Sequence, residues 1–219
     1  MEIAALVMSC EERAATLRST LSRLRECGWP SEPEIVLDDG VGETRLARIH
    51  RTWRRLIRRA AEAPSELVLL LEDDVVFGTW FPENLRSWEL LRQLPRGQAF
   101  FASLYNPNHP FRVRRAHERY LIADPRYAWG AQAIVTTPRT ARFIDEHWDS
   151  VEGNPDQRMP LIAGQVTPIY YHVPSLVDHA PVPTTWGGME HSATDFDPDW
   201  RAREYVCPNV RTHGVAPSR

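Results

Sequence analysis

The chain has 219 residues, 42% of them hydrophobic and 25% charged, with a formal net charge of −3. That is enough apolar material for one core, and a near-balanced charge gives a nucleic-acid partner no support. All 26 basic residues are arginine, which reads as genomic bias rather than as a site.

Ile3 to Met8 is an apolar run of the size of a buried parallel strand, followed by a polar loop over Ser9 to Arg13. Leu17, Leu21 and Leu24 recur at helical spacing until Gly28 and Pro30 stop the helix. Glu34 to Leu37 predicts a second strand, closed by Asp38-Asp39-Gly40. From Thr44 to about Ala63 the pattern is helical, with Leu46, Ile49, Trp53, Leu56, Ile57 and Ala60 on one face. Leu67 to Leu71 is a third strand ending in Glu72-Asp73-Asp74. Pro82 opens a helix running to about Leu94, and Ala99 to Leu104 is a fourth strand.

The second half is less regular. Phe111 to Ile122 holds one or two short strands, Ala131 to Val135 another, and Pro138 to Trp148 a helix. A short helix follows Pro155, and Ile169 to Val177 is extended but broken by Pro174. Beyond His179 the chain is rich in Pro, Gly, Trp and Asp and is expected to lie over the sheet. Alternating strands and helices predict βαβ units and a mostly parallel sheet. One domain is expected over 1–219. That domain divides at about 105 and at 180, into residues 1–105, residues 106–180 and a C-terminal extension over 181–219.

Cys10, Cys27 and Cys207 are odd in number and far apart, which points to a reducing compartment and to neither a disulfide framework nor a zinc site. No apolar run approaches the roughly 18 to 20 residues that cross a bilayer. The stretch from Met1 to Cys10 carries Glu2, lacks a basic start and reads as a strand rather than a signal peptide. The expected location is the cytoplasm.

Glu72-Asp73-Asp74 carries the chemistry. Ligands of open parallel sheets sit outside the carboxyl ends of the strands. Adjacent carboxylates there repel, and a divalent cation with oxygen ligands offsets that repulsion; a solvated acidic turn is the plain alternative. Asp38-Asp39-Gly40 taken alone is an Asx-type turn. It gains meaning because two strands of one sheet then end in carboxylates at one edge. The arginines of the second helix, from Arg45 to Arg59, read as a solvated outer face. Arg48 is the exception, close enough to the helix start to be within reach of phosphates at the sheet edge.

The run from Ser9-Cys10-Glu11-Glu12-Arg13 through Leu17, Thr20 and Leu21 to Gly28, with Leu37-Asp38-Asp39-Gly40, resembles the N-terminal half of family-two-like GT-A glycosyltransferases of a bacterial branch. Leu69-Leu70-Leu71-Glu72-Asp73-Asp74 looks like that family's DxD motif, with Glu at the first position. The resemblance implies a GT-A-like, Rossmann-like α/β fold with a mostly parallel central sheet. It implies donor-binding roles for Arg13, Asp39 (the base), Arg48 and Asp73 (ribose or the metal's surroundings), and it gives Asp74 to the metal. Trp129-Gly130-Ala131-Gln132-Ala133 resembles the glycine-containing approach to the donor sugar, which brings in Trp129 and Gly130. Asn154-Pro155-Asp156-Gln157 resembles the segment with the acceptor-side Asp, making Asp156 the catalytic base. The run from Tyr171 to His179 resembles the late strand whose closing His completes the metal site, so His179 is the expected ligand and His191 its rival. Thr185-Trp186-Gly187-Gly188 and the stretch from Asp195 to Trp200 resemble the family's tail.

What the resemblance implies is a transfer, by inversion, of a sugar from a UDP-sugar to an acceptor hydroxyl with Mn²⁺ or Mg²⁺. The acceptor is a glycan, a peptide or a small molecule, and no nucleic acid takes part. A nucleotidyltransferase is the first alternative, but Ser9-Cys10-Glu11-Glu12-Arg13 lacks the Gly-rich phosphate loop that chemistry uses. A catalytically silent nucleotide-sugar binder is the second.

Overall fold

The computed structural model describes residues 1–41, 44–107, 119–182 and 192–202. Its strands are β1 (Ile3–Ser9), β2 (Glu34–Leu37), β3 (Leu67–Leu71), β4 (Val75–Phe77), β5 (Phe101–Ser103), β6 (Tyr120–Ala123), β7 (Ala133–Thr136), β8 (Ile169–His172) and β9 (Val177–His179). Its α-helices are α1 (Ala14–Glu26), α2 (Arg45–Glu62), α3 (Phe81–Arg86), α4 (Glu89–Arg92), α5 (Pro138–Glu146) and α6 (Pro155–Ala163). Seven strands form one sheet in the order β2-β1-β3-β7-β5-β8-β6, and β4 pairs with β9 in a second, two-stranded sheet. β1 is parallel to β2 and β3, and β5 to β8, while β7 and β6 run against their neighbours. Five of the seven strands therefore point the same way, as the alternation of elements predicts.

β3 shows why the sheet sits in the middle. All five of its residues are buried. Leu67, Leu69 and Leu71 face one apolar layer with Leu17, Leu24, Phe81, Leu85 and Trp88. Val68 and Leu70 face the other, with Trp53, Leu56, Ile57, Ala141, Ile144 and Met159. The two-residue period of a strand sends alternate side chains to opposite faces. At about 1.5–3 kcal/mol for each fully buried Leu or Val, this strand is the anchor of the fold. α1, α3 and α4 cover one face of the sheet; α2, α5 and α6 cover the other.

The helix ends follow local chemistry. Thr44 caps α2 by accepting from Ala47 N, and Thr137 caps α5 with Pro138 in its first turn. Asn154 and Gln157 form a capping box at α6. Some expectations need correction. The helix from Pro82 to Leu94 is two helices, because Trp88 adopts an extended backbone between them and drives its ring into the core, 1% exposed. Leu46, expected on the buried face of α2, is exposed; it lies in the first turn, ahead of the stripe that meets the sheet. Glu11–Arg13 forms a 3₁₀ turn rather than a plain loop. β4 is too short to show in the sequence between the acidic triplet and Gly78.

Candidate active site

Parallel register brings the carboxyl ends of β1, β2, β3, β5 and β8 to one edge, and β7 starts there because Ala133 pairs with Leu71. Ser9, Asp38, Glu72 to Asp74, Tyr105 and Gln132 thus gather from segments far apart in the chain. His179 arrives separately, since β9 pairs with β4 and places it opposite Val75. Ala180 N donates to Asp74 O at 2.7 Å and fixes that register.

The two aspartates are held differently. Asp73 Oδ2 accepts from Ser9 Oγ at 2.5 Å and Asp73 Oδ1 from Arg13 Nε at 2.7 Å, while its backbone O accepts from Thr20 Oγ1 at 2.6 Å. Asp74 Oδ2 accepts from the same guanidinium at 2.5 Å and lies 3.2 Å from His179 Nε2. Among the described residues Asp74 Oδ1, which is buried, has no hydrogen-bond partner. Burial pushes the Asp73 carboxyl up, more than Ser9 and Arg13 bring it down. For Asp74 burial also opposes ionisation, but His179 and Arg13 outweigh it and hold the group below its ordinary value. The bond to Asp74 raises His179 against burial. Glu72 accepts from Gln132 Nε2 at 3.1 Å. Burial, then Asp74, Asp156 and Asp73, push its carboxyl far above the usual range.

Asp156 stands in the first turn of α6. Its carboxylate is among the charges that raise the Glu72 carboxyl and the Tyr171 hydroxyl. Trp129 is tied by its backbone: its N donates to the Tyr171 hydroxyl at 2.9 Å, and that hydroxyl donates to Trp129 O at 2.8 Å. Gly130 has φ +97°, and a Cβ there would come within 3.0 Å of the Tyr105 ring. A left-handed backbone and a ring in contact both require glycine.

β2 sends its two aspartates in different directions. Asp38, its side chain 11% exposed, binds Arg48 at 2.6 Å beside Glu12. Asp39 lies under Arg51 at 3.0 Å and Arg55 at 3.2 Å. Arg48 is thus at the edge but engaged with Asp38. Further along α2, Arg54 and Arg58 hold Asp145, and Arg59 holds Glu34. These arginines lie on the outer face that the pattern predicts, and their partner carboxylates come from α5 and β2. His172 is fully buried; its Nδ1 lies 2.6 Å from Pro174 O, and its ring meets Trp88 and Trp200 edge-on. It is a core residue. His191 and 185–188 lie outside the described residues.

Sequence reasoning missed Tyr105 and gave Gln132 no role. Each leaves a trace: an aromatic residue directly after a strand, and a polar residue heading an apolar one. Two surface hollows that share Met1 and Arg86 open at the other end of the sheet and contain none of these residues.

No protein-family model matches the sequence, and no curated protein matches it. Solved structures do. TarS 1-349 from S. aureus aligns with a TM-score of 0.52 at 12% identity, over 84% of this chain and 61% of its own. The fold is of the GT-A type. Looser likenesses are a glycosyltransferase involved in glycosylation of the PBCV-1 major capsid and the galactosyltransferase LgtC. The first has a TM-score of 0.49 at 12% identity, over 78% of this chain and 81% of its own. LgtC has a TM-score of 0.43 at 13% identity, over 82% and 87%. These three neighbours are GT-A-type glycosyltransferases. Among the described residues no helix is long and apolar enough to cross a membrane.

Proposed function

We propose that the chain is a glycosyltransferase that moves a sugar from a UDP-sugar to an acceptor hydroxyl with inversion, using Mn²⁺ or Mg²⁺. The observation that carries this reading is the buried Asp73–Asp74 pair at the end of β3, with His179 at 3.2 Å and Asp74 Oδ1 unpartnered. Among the described residues no group of three His, Cys, Asp or Glu side chains is arranged for a metal. Asp74 still fits a hard cation, because Mg²⁺-like ions keep waters and take phosphate oxygens beside one or two carboxylates, and His179 stands next to it as the nitrogen ligand the resemblance implies. When bound, the cation neutralises charge that develops on the departing diphosphate.

The protein's own residues do the rest. Residues to about 105 hold the nucleotide, 106–180 the acceptor side and metal, and 181–219 extend the domain. Asp73, clamped by Ser9, Thr20 and Arg13, faces the ribose. Asp39 takes the uracil ring N–H, with Asp38 beside it as the rival; competition between UDP and CDP in Asp38→Asn and Asp39→Asn ranks them. Arg13 and Arg48 give positive charge to the phosphate side, and Trp129 and Gly130 border the sugar. Asp156 accepts the acceptor's proton as that oxygen bonds to the anomeric carbon and the bond to the diphosphate oxygen breaks. UDP leaves, and the configuration inverts.

The test is UDP release with and without Mn²⁺ in wild type and Asp156→Asn. A base in hydrogen-bond reach contributes about 10²- to 10⁴-fold, so kcat falls by that order while Mn²⁺-dependent UDP binding is kept. Normal turnover in the mutant, or a product that keeps the donor's configuration, rejects Asp156 as the base.

A further inference from the structure

Among the described residues, once Asp74 Oδ1 is assigned to a cation, the Tyr105 hydroxyl and Gln132 Oε1 beside the acidic triplet are also buried without partners. Burying such a group unpaired is unfavourable, so each one needs a reason. Tyr105 is 1% exposed and sits two residues beyond Ser103, the last residue of β5. Its backbone is locked, because Tyr105 N donates to Ser103 Oγ at 3.2 Å and that hydroxyl donates to Tyr105 O at 2.7 Å. Gly130 gives up its side chain to let the ring lie where it does. Burial, then the charges of Asp178, Glu72 and Asp74, push the phenol upward, which keeps it an O–H donor and places it among those carboxylates.

Gln132 is fixed from the opposite strand. Glu72 N donates to Gln132 O at 3.1 Å, and Gln132 Nε2 donates to Glu72 Oε2 at 3.1 Å. Gln132 Oε1, an acceptor, has no partner among the described residues, and the second hydrogen of Nε2 is a further donor. Tyr105 both donates and accepts. Phosphate oxygens satisfy a donor but leave Gln132 Oε1 unpaired, and a cation satisfies acceptors but leaves the phenol O–H unpaired. Groups that donate and accept at once serve both, and a sugar ring carries several.

We propose that Tyr105 and Gln132 hydrogen-bond hydroxyls of the donor's sugar and set which sugar is accepted. This rests on the reading of the edge as a nucleotide-sugar site. A purely structural tyrosine gains nothing from an unpaired buried hydroxyl, whereas a ligand-binding one tolerates it until the sugar arrives.

Calorimetry with Mn²⁺ tests it, using UDP, UDP-glucose, UDP-galactose and UDP-N-acetylglucosamine on wild type and Tyr105→Phe. UDP affinity stays unchanged in the mutant, and the affinity ratio of the best-bound UDP-hexose to UDP falls by roughly three- to tenfold, as one hydrogen bond predicts. The melting temperature stays the same or rises, because a buried unpaired hydroxyl is gone. An unchanged ratio overturns the assignment and leaves the glycosyltransferase reading intact. A fall of several degrees in melting temperature also overturns it, since the hydroxyl would then have a structural partner. Wild type that binds none of the UDP-hexoses overturns the donor reading together with the assignment.

Discussion

Two regions of this molecule are dense in charge and behave in opposite ways. On the outer face of α2, Arg54, Arg58 and Arg59 each meet a carboxylate on the surface. At the carboxyl edge of β3, one guanidinium holds two aspartates, and all three side chains are 11% exposed or less. The first arrangement is complete in itself, and water screens what remains. The second has more negative charge than its arginine neutralises and keeps a buried carboxylate oxygen unpaired. Charge density alone therefore does not mark a site; burial with incomplete pairing does.

The largest effect follows from cutting the buried clamp. Arg13→Met leaves Asp73 and Asp74 without their shared counter-charge, and breaking a buried pair in this way costs about 3–5 kcal/mol. Urea denaturation gives the number. The loss is smaller at pH 5 than at pH 8, because without Arg13 the carboxylates take up protons more readily. A loss below 1 kcal/mol at both pH values makes the clamp no different from the α2 pairs.

Next comes Asp74→Asn. It keeps the shape of the side chain but lowers Mn²⁺-dependent UDP affinity by about 100-fold, equivalent to about 2.7 kcal/mol. Unchanged affinity in calorimetry removes Asp74 from the metal site.

His172 sharpens the comparison from a third position, a buried titratable group in an apolar setting. Burial, with Arg119 adding to it, lowers its pKa to about 3 against the retained bond to Pro174 O. The folded value lies below the unfolded one, so its contribution is present above about pH 6.5 and is lost as pH falls toward about 3, at up to about 1.4 kcal/mol per unit. His172→Phe removes that dependence. Relative to wild type, the mutant gains roughly 1–3 kcal/mol between pH 7 and pH 4, read by denaturation at the two values. Parallel curves show that His172 does not carry the acid limb.

The smallest effect is on α2. Arg59→Ala breaks a 2.8 Å bond to Glu34, yet the melting temperature moves by less than about 2 °C and the difference vanishes in 0.5 M salt. A large shift places this helix in the same class as the β3 edge.

The sequence by itself determined what depends on local pattern. The five-residue run Leu67–Leu71 requires burial on both faces, hence a central strand with helices on either side. Gly28 and Pro30 stop α1, Thr44 and Pro138 start α2 and α5, and the acidic triplet falls at the carboxyl end of a central strand. Family resemblance singled out Asp74, His179 and Asp156, and the fold sets the first two 3.2 Å apart. Tertiary structure decided what pairing across the sheet sets. β7 enters antiparallel and carries Gln132 to Glu72, β4 meets β9 and delivers His179 to Asp74, and β5 ends so that Tyr105 turns inward. It also separated Asp38 from Asp39, neighbours that the sequence cannot tell apart, by giving one to Arg48 and the other to Arg51 and Arg55. Periodicity reports which face of an element is apolar. It does not report which strand lies beside which, and hydrogen bonds between segments 60 or more residues apart depend on that order alone.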